Sequence, residues 1–201
     1  NNLVGRYDLV SGKIDWLIGT GQTASHMLVV TPDQKKIYTA NVGSDTVTAI
    51  EFGAVPPAGS KITHIPVGKQ PEAIDISPNG KEVWVGLNTE EAIDVIDTTT
   101  NKVVETIKVG QRPYRIRFTP NGSQAVATFP NSKELLIYDV ASRQEASPPP
   151  LRPLRWRFST SSSGVTSAGE GGGASSGDGS GAGSGVPLGV GVGSGPIRRE
   201  R

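Results

Sequence analysis

The chain of 201 residues has no cysteine, only two histidines, and no apolar run near the roughly 20 residues that a membrane-spanning helix needs. The lack of cysteine excludes disulfides, thiolate chemistry and cysteine-ligated metals, and it leaves the compartment open. An excess of one charge is also missing, because the formal net charge is +1. Residues 1–144 carry 14 basic and 15 acidic side chains, so no basic face indicates nucleic acid as a partner.

What the sequence does contain is a repeat. The segments 31–39, 77–85 and 119–127 are versions of one unit, and their prolines, Pro32, Pro78 and Pro120, are 46 and 42 residues apart. A period of this length is typical of the four-stranded blades of a β-propeller.

Each unit predicts four antiparallel strands, which we call A to D. Strand A has apolar residues at alternate positions, and a Pro-Asn-Gly turn then leads into strand B. An acidic residue ends strand C, and Gly12 and Asn101 occupy a turn position that tolerates left-handed backbone. The predicted ranges are 26–31, 71–77 and 113–119 for strand A; 36–41, 82–87 and 124–129 for B; 3–8, 46–51, 92–97 and 134–139 for C; and 14–21, 61–68 and 103–110 for D.

These strands predict an all-β fold, a partial propeller of about three and a quarter blades within residues 1–144. It consists of strands C and D of one blade, blades at 25–70 and 71–112, and strands A to C at 113–139. Closed propellers have 4 to 8 blades. We therefore expect uncovered blade faces and a free sheet edge at 134–139, through which the chain self-associates or becomes poorly soluble.

Residues 145–201 break the repeat. The Ser147–Pro150 segment has three successive prolines where a strand D is due, which argues against a strand there. The low-complexity Gly/Ser-rich composition is typical of a disordered tail. The tail has six arginines and no lysine. We prefer the hypothesis that it is translated out of frame, which the coding DNA tests.

The candidate binding residues lie at the start of strand A. His26, Glu72 and Tyr114 share one repeat position there, and equivalent positions of successive blades converge at a channel mouth. With Arg115 they are candidate ligand contacts. The alternative is that His26 only packs or forms hydrogen bonds.

A second repeat position holds Asp75 and Arg117, with Val29 as its third member, and predicts an ion pair between blades that is structural rather than catalytic. Arg112, Arg115 and Arg117 form a basic cluster with Tyr114 that suits an anionic ligand or an acidic partner, although solvated loop charges are the alternative.

Two further patterns carry no predicted chemistry. The Gly19–Ala24 segment matches a dinucleotide-binding fingerprint, but a strand follows it instead of the helix that this fingerprint requires. His64 falls on outer strand D, where we expect an exposed side chain. No catalytic residue, metal or cofactor is predicted.

The segment PEAIDISPNGKEVWVGLNTEEAIDVIDTTTNKVVETIKVG at 71–110 resembles the YVTN family of propeller repeats, the YncE-like group among the seven-bladed quinoprotein and amine-dehydrogenase-like propellers. The resemblance covers residues 3 to about 144, and Tyr38–Asn41 comes nearest to the naming motif. It implies a non-enzymatic propeller that binds a protein or a small ligand. It also implies a fragment of a larger bacterial protein that is periplasmic or extracellular.

Two alternatives remain open. Similar propellers include lactonases, haem d1 domains and amine dehydrogenase subunits, which would make the chain part of an enzyme whose site residues lie largely in other blades. The three mouth positions do not repeat a ligand type, which favours binding over catalysis. The last alternative is a truncated or frameshifted product without an independent function.

Overall fold

A computed structural model describes residues 2–146, which contain thirteen β-strands and no helix. The predicted tail therefore lies outside the described residues except for its first two positions. The strands are β1 (Leu3–Asp8), β2 (Lys13–Gly19), β3 (Ser25–Val30), β4 (Lys36–Asn41), β5 (Thr46–Glu51), β6 (Lys61–Pro66), β7 (Pro71–Ile76), β8 (Glu82–Leu87), β9 (Ala92–Asp97), β10 (Lys102–Lys108), β11 (Arg115–Phe118), β12 (Gln124–Phe129) and β13 (Glu134–Asp139).

The strands form four antiparallel sheets, each following the chain order of the predicted repeat. The first sheet is β1–β2, the second is β3–β4–β5–β6, the third is β7–β8–β9–β10, and the fourth is β11–β12–β13. The inner strands β3 and β11 both lie beside β7. The beginnings of these three strands, where the candidate residues lie, are thus neighbours.

The inner strand of the fourth sheet is shorter than predicted. It begins at Arg115, two residues after the positions that correspond to the starts of β3 and β7. Those two strands have a register shift at the same place, between Ser25 and Leu28 and between Pro71 and Ala73. The first residues of strand A therefore leave the regular ladder in every copy.

The turn residues explain why the hairpins recur. Gly80 and Gly122 both have a φ of 71°, so the Pro-Asn-Gly turn uses the left-handed conformation that glycine adopts without steric cost. In the turn between the third and fourth strand positions, Gly12 and Asn101 have φ values of 69° and 54°. Both turn positions behave as the sequence predicts.

The edge of β13 differs from the prediction that residues 134–139 are free. Glu145 forms a bridge with Tyr138, and the Ala146 amide donates to the Ile137 carbonyl at 2.7 Å. The proline run that argued against a fourth strand begins only after this pairing, at residues outside the described part. The prediction of a free edge at 134–139 is therefore wrong for residues 137–139, whereas residues 134–136 pair only with β12 within the described residues.

The core lies between successive sheets and consists of three apolar clusters. The second and third sheets enclose the cluster around Tyr38, Val47, Val85 and Leu87. The third and fourth enclose Trp84, Ile93, Phe129 and Tyr138. A smaller cluster of Val4, Trp16, Ile18, Ile37 and Ile50 joins the first sheet to the second.

Candidate functional site

The four predicted contact residues meet at the start of the three inner strands. Glu72 on β7 is central: its Oε1 lies 3.2 Å from Nδ1 of His26 and 3.3 Å from Nη1 of Arg115. Arg115 also donates to the Tyr114 carbonyl at 2.7 Å, and its Cζ lies 4.1 Å from the centre of the Tyr114 ring. We call His26, Glu72, Tyr114 and Arg115 the mouth cluster.

The mouth cluster combines a shielded anion with exposed donors. The Glu72 side chain is 13% exposed, whereas the side chains of His26 and Arg115 are 51% and 39% exposed. A carboxylate with two partners from neighbouring sheets restrains their orientation, and within residues 2–146 the other ring nitrogen of His26 and Nε and Nη2 of Arg115 have no hydrogen bond. The arrangement can therefore offer preorganised hydrogen-bond donors to a ligand.

Asp75 and Arg117 lie further along the same strands and connect the third sheet to the fourth. Arg117 Nη1 is 3.2 Å from Asp75 Oδ1, and the Phe118 amide donates to Asp75 Oδ2 at 2.8 Å. The Asp75 side chain is 9% exposed, while that of Arg117 is 79% exposed. The backbone hydrogen bond to a buried carboxylate indicates that Asp75 mainly holds two sheets together.

Two features for which the sequence predicts no chemistry are His64 and the Gly19–Ala24 segment. His64 is exposed on β6, and its Nδ1 is 3.2 Å from Thr48 Oγ1. The fingerprint-like segment ends β2 and leads directly into β3, with Gly21 at a φ of 67°. Among residues 2–146, no three histidine, aspartate or glutamate side chains are grouped as ligands for a metal ion.

Sequence reasoning missed Arg143, which links the fourth sheet to the third. Its Nη2 lies 2.5 Å from Glu82 Oε1, its Nε lies 3.3 Å from Glu105 Oε2, and its guanidinium lies 5.3 Å from the centre of the Trp84 ring. Arg143 has a φ of 62°, like Gly12 and Asn101 at the equivalent turn position. The alignment of Arg143 with Gly12 and Asn101 in the repeat is the sequence signal that could have identified it as a residue of this turn.

An apolar groove of about 650 Å³ lies between the first and second sheets. Its walls include Tyr7 and Trp16 from the first sheet and Leu28, Val30 and Phe52 from the chain that follows. Within residues 2–146 the buried Trp16 Nε1 has no hydrogen-bond partner. The sequence predicted uncovered blade faces in general but not this groove in particular, which combines residues of two sheets.

The described residues contain no helix that could cross a bilayer. No family model matches the chain, and no curated protein does. Solved structures do match the chain in fold. The β-propeller domain of Myceliophteria thermophila Cps50 (Swd1) aligns with a TM-score of 0.59 at 15% identity, over 72% of this chain and 50% of that one.

The described residues form part of a β-propeller.

Two further solved structures are similar. Kuenenia stuttgartiensis hydrazine synthase aligns with a TM-score of 0.56 at 21% identity, over 64% of this chain and 36% of that one. A functionally unknown protein from Desulfotomaculum acetoxidans aligns with a TM-score of 0.57 at 15% identity, over 71% of this chain and 46% of that one. At these identities the likeness concerns the fold alone, and the aligned chain spans half or less of each structure.

Proposed function

We propose that this propeller arc is a non-enzymatic binding scaffold, and that its mouth cluster binds an acidic segment of a protein partner. The observation that carries the proposal is the orientation of Arg115. In the described residues its hydrogen bonds use Nη1, which leaves the donors Nε and Nη2 without a partner. Stacking on Tyr114 holds the guanidinium plane in place.

Such a guanidinium suits a carboxylate. Arginine binds carboxylates through two parallel N–H donors, and a side chain already fixed by packing loses less entropy when it binds. Arg112 lies nearby in sequence and is exposed, so it adds positive charge around the cluster. Glu72 offsets only part of this charge, because it is one carboxylate beside two arginines, Arg112 and Arg115.

A binding role fits the cluster better than catalysis does. Its four residues include no serine, threonine or cysteine nucleophile, and its one carboxylate already contacts both His26 and Arg115. We propose no enzymatic activity for the cluster.

The test is a binding measurement with the full chain and two matched probes, fluorescein-labelled octaglutamate and octalysine. We expect octaglutamate to raise the anisotropy and octalysine not to. Arg115→Ala should weaken octaglutamate binding about tenfold, because a bidentate charge-assisted contact is lost. Lys61→Ala removes an exposed cation from outer strand β6 and serves as the matched control. Equal affinities of Arg115→Ala and Lys61→Ala would refute the proposal.

From the resemblance to YncE-like repeats we further propose that the chain works within a larger bacterial protein that is periplasmic or extracellular. Similar structures are at least twice as long as the part that this chain covers, which supports a larger parent. The coding DNA tests both points. A signal peptide upstream and further Pro-Asn-Gly repeats in any frame downstream are expected, and their absence would contradict the proposal.

A further inference from the structure

His26 is the one residue of the mouth cluster whose side chain changes its charge near neutral pH. Histidine side chains gain a proton as the pH falls from about 8 to about 5, whereas glutamate, tyrosine and arginine keep their charge states in this range. The sequence has one other histidine, His64, which lies on outer strand β6 and contacts Thr48 instead of the cluster. A pH change in this range therefore alters the charge of the mouth cluster at a single residue.

The contact that responds to this proton is the one between His26 and Glu72. Nδ1 of His26 lies 3.2 Å from Oε1 of Glu72, and the same oxygen lies 3.3 Å from Nη1 of Arg115. One carboxylate oxygen thus faces a permanent cation on one side and a titratable ring on the other. The strands β3 and β7, which carry His26 and Glu72, belong to four-stranded sheets with a neighbouring sheet on each side. The contact is therefore internal to the arc.

Glu72 is the only ion-pair partner of His26 within residues 2–146. Residues 20–25, which precede His26, are uncharged, and β4 ends opposite the start of β3 with Asn41. On the flanking loops, Asp45 and Lys69 are paired with each other at 3.2 Å. The charge at His26 is therefore balanced by Glu72, and through the shared oxygen by Arg115.

We propose that protonation of His26 strengthens the binding of an acidic segment at the mouth cluster, so that the site binds more tightly at pH 6 than at pH 8. This regulation rests on the proposed function, since it concerns the same site and the same ligand. Without the proton, Arg112 and Arg115 stand against the one carboxylate of Glu72. The imidazolium adds a third cation and shares that carboxylate, which leaves more positive charge at Arg115 for a ligand.

Solvent limits the size of this effect. The His26 side chain is 51% exposed, so water and salt screen its charge. We therefore expect the affinity for an acidic peptide to rise about threefold from pH 8 to pH 6 at low ionic strength, and the rise to shrink as salt is added. A glutamate peptide keeps its own charge at both pH values, because glutamate side chains titrate near pH ~4.3.

The binding test measures the affinity of rhodamine-labelled octaglutamate for the full chain at pH 6 and pH 8, in buffers of equal ionic strength. We expect His26→Asn to lose the threefold rise. The substitution should be tolerated, because the equivalent repeat positions hold Glu72 and Tyr114. His64→Asn is the matched control, since it removes the other histidine and should keep the rise. All these chains retain the amino terminus, so a difference between them reports on the histidine alone.

NMR gives a readout without any ligand, because the chemical shift of each histidine Cε1 proton reports the protonated fraction of that ring. At pH 6 we expect Glu72→Gln to lower the protonated fraction of His26 and to leave that of His64 unchanged, since a neighbouring carboxylate favours the imidazolium. If Glu72→Gln fails to fold, the two histidine variants alone decide.

The possible results separate this regulation from the proposed function. Binding of octaglutamate with equal affinity at pH 6 and pH 8, a rise that persists in His26→Asn, or an unchanged His26 ring in Glu72→Gln would each overturn the regulation and leave the proposed function standing. No binding of octaglutamate at either pH would refute the proposed function, and the regulation with it.

Discussion

At the scale of single residues, an aspartate ends strand C in three of the four sheets and closes the turn after it. Asp97 Oδ1 accepts hydrogen bonds from the amides of Thr99 and Thr100 at 3.0 and 2.7 Å. Asp8 and Asp139 bond the amides of their own turns in the same way. These amide donors lower the pKa of all three carboxyl groups below its usual value, with the amides of Ser11, Thr100 and Ser142 as the largest causes.

The lowered pKa of Asp97 predicts how the stability depends on pH. A carboxyl group whose pKa is lower in the folded chain stabilises the fold above its unfolded pKa, and this contribution disappears as the pH falls through the folded pKa. We expect Asp97→Asn to lower the free energy of unfolding at pH 6 by about 1 kcal/mol, because an uncharged amide oxygen accepts weaker hydrogen bonds. The difference from wild type should shrink below pH 4.

Urea denaturation at pH 6 and pH 3 measures this effect. Glu91→Gln is the control, since Glu91 is an exposed carboxylate whose side chain has no hydrogen bond within the described residues. We expect this variant to unfold like the wild type at pH 6. If the free energy of unfolding of Asp97→Asn stays below that of the wild type by the same amount from pH 6 to pH 3, the charge of Asp97 does not contribute to stability.

At the scale of strands and turns, successive sheets are joined by one repeated contact. An aromatic residue on the second strand of a sheet meets the left-handed residue in the last turn of the next sheet. Tyr38 donates to Asn101 Oδ1 at 2.7 Å, and Trp84 lies under the guanidinium of Arg143. The burial of Tyr38 raises the pKa of its hydroxyl, which therefore stays a hydrogen-bond donor.

A double-mutant cycle tests whether the Arg143 ion pair stabilises this contact. Asparagine adopts the left-handed conformation readily, as at position 101, so Arg143→Asn removes the charge without adding backbone strain. We expect a coupling energy of about 1 kcal/mol between Arg143→Asn and Glu82→Gln. The coupling to Glu105→Gln should be smaller, because the Glu105 side chain is 47% exposed and that of Glu82 is 25% exposed. Equal couplings would contradict this ranking.

The strands could be predicted because each follows from its own residues. Alternating apolar side chains and a proline-glycine turn are local signals, and aligned repeat positions also predicted that His26 and Glu72 would be neighbours. Arg143 was missed because its contacts come from two strands of another sheet, while its own turn position had held only Gly12 and Asn101. The lining of the groove beside β1 was missed for a related reason, since its residues come from two different sheets and are brought together only by the packing of those sheets.

At the scale of the whole arc, the sheets are connected only to their sequence neighbours through the three apolar clusters. The third sheet is packed on both faces, against the second and the fourth. The first sheet has two strands, one smaller cluster and a buried indole nitrogen without a partner in the described part of the chain. Stability should therefore be lowest in the first sheet and highest in the third.

Hydrogen exchange followed by mass spectrometry can resolve this order. We expect peptides covering residues 3–19 to exchange at least tenfold faster than those covering residues 82–97, because the first sheet has fewer strands and a smaller apolar cluster. Uniform exchange across all four sheets would mean that the arc unfolds as one unit.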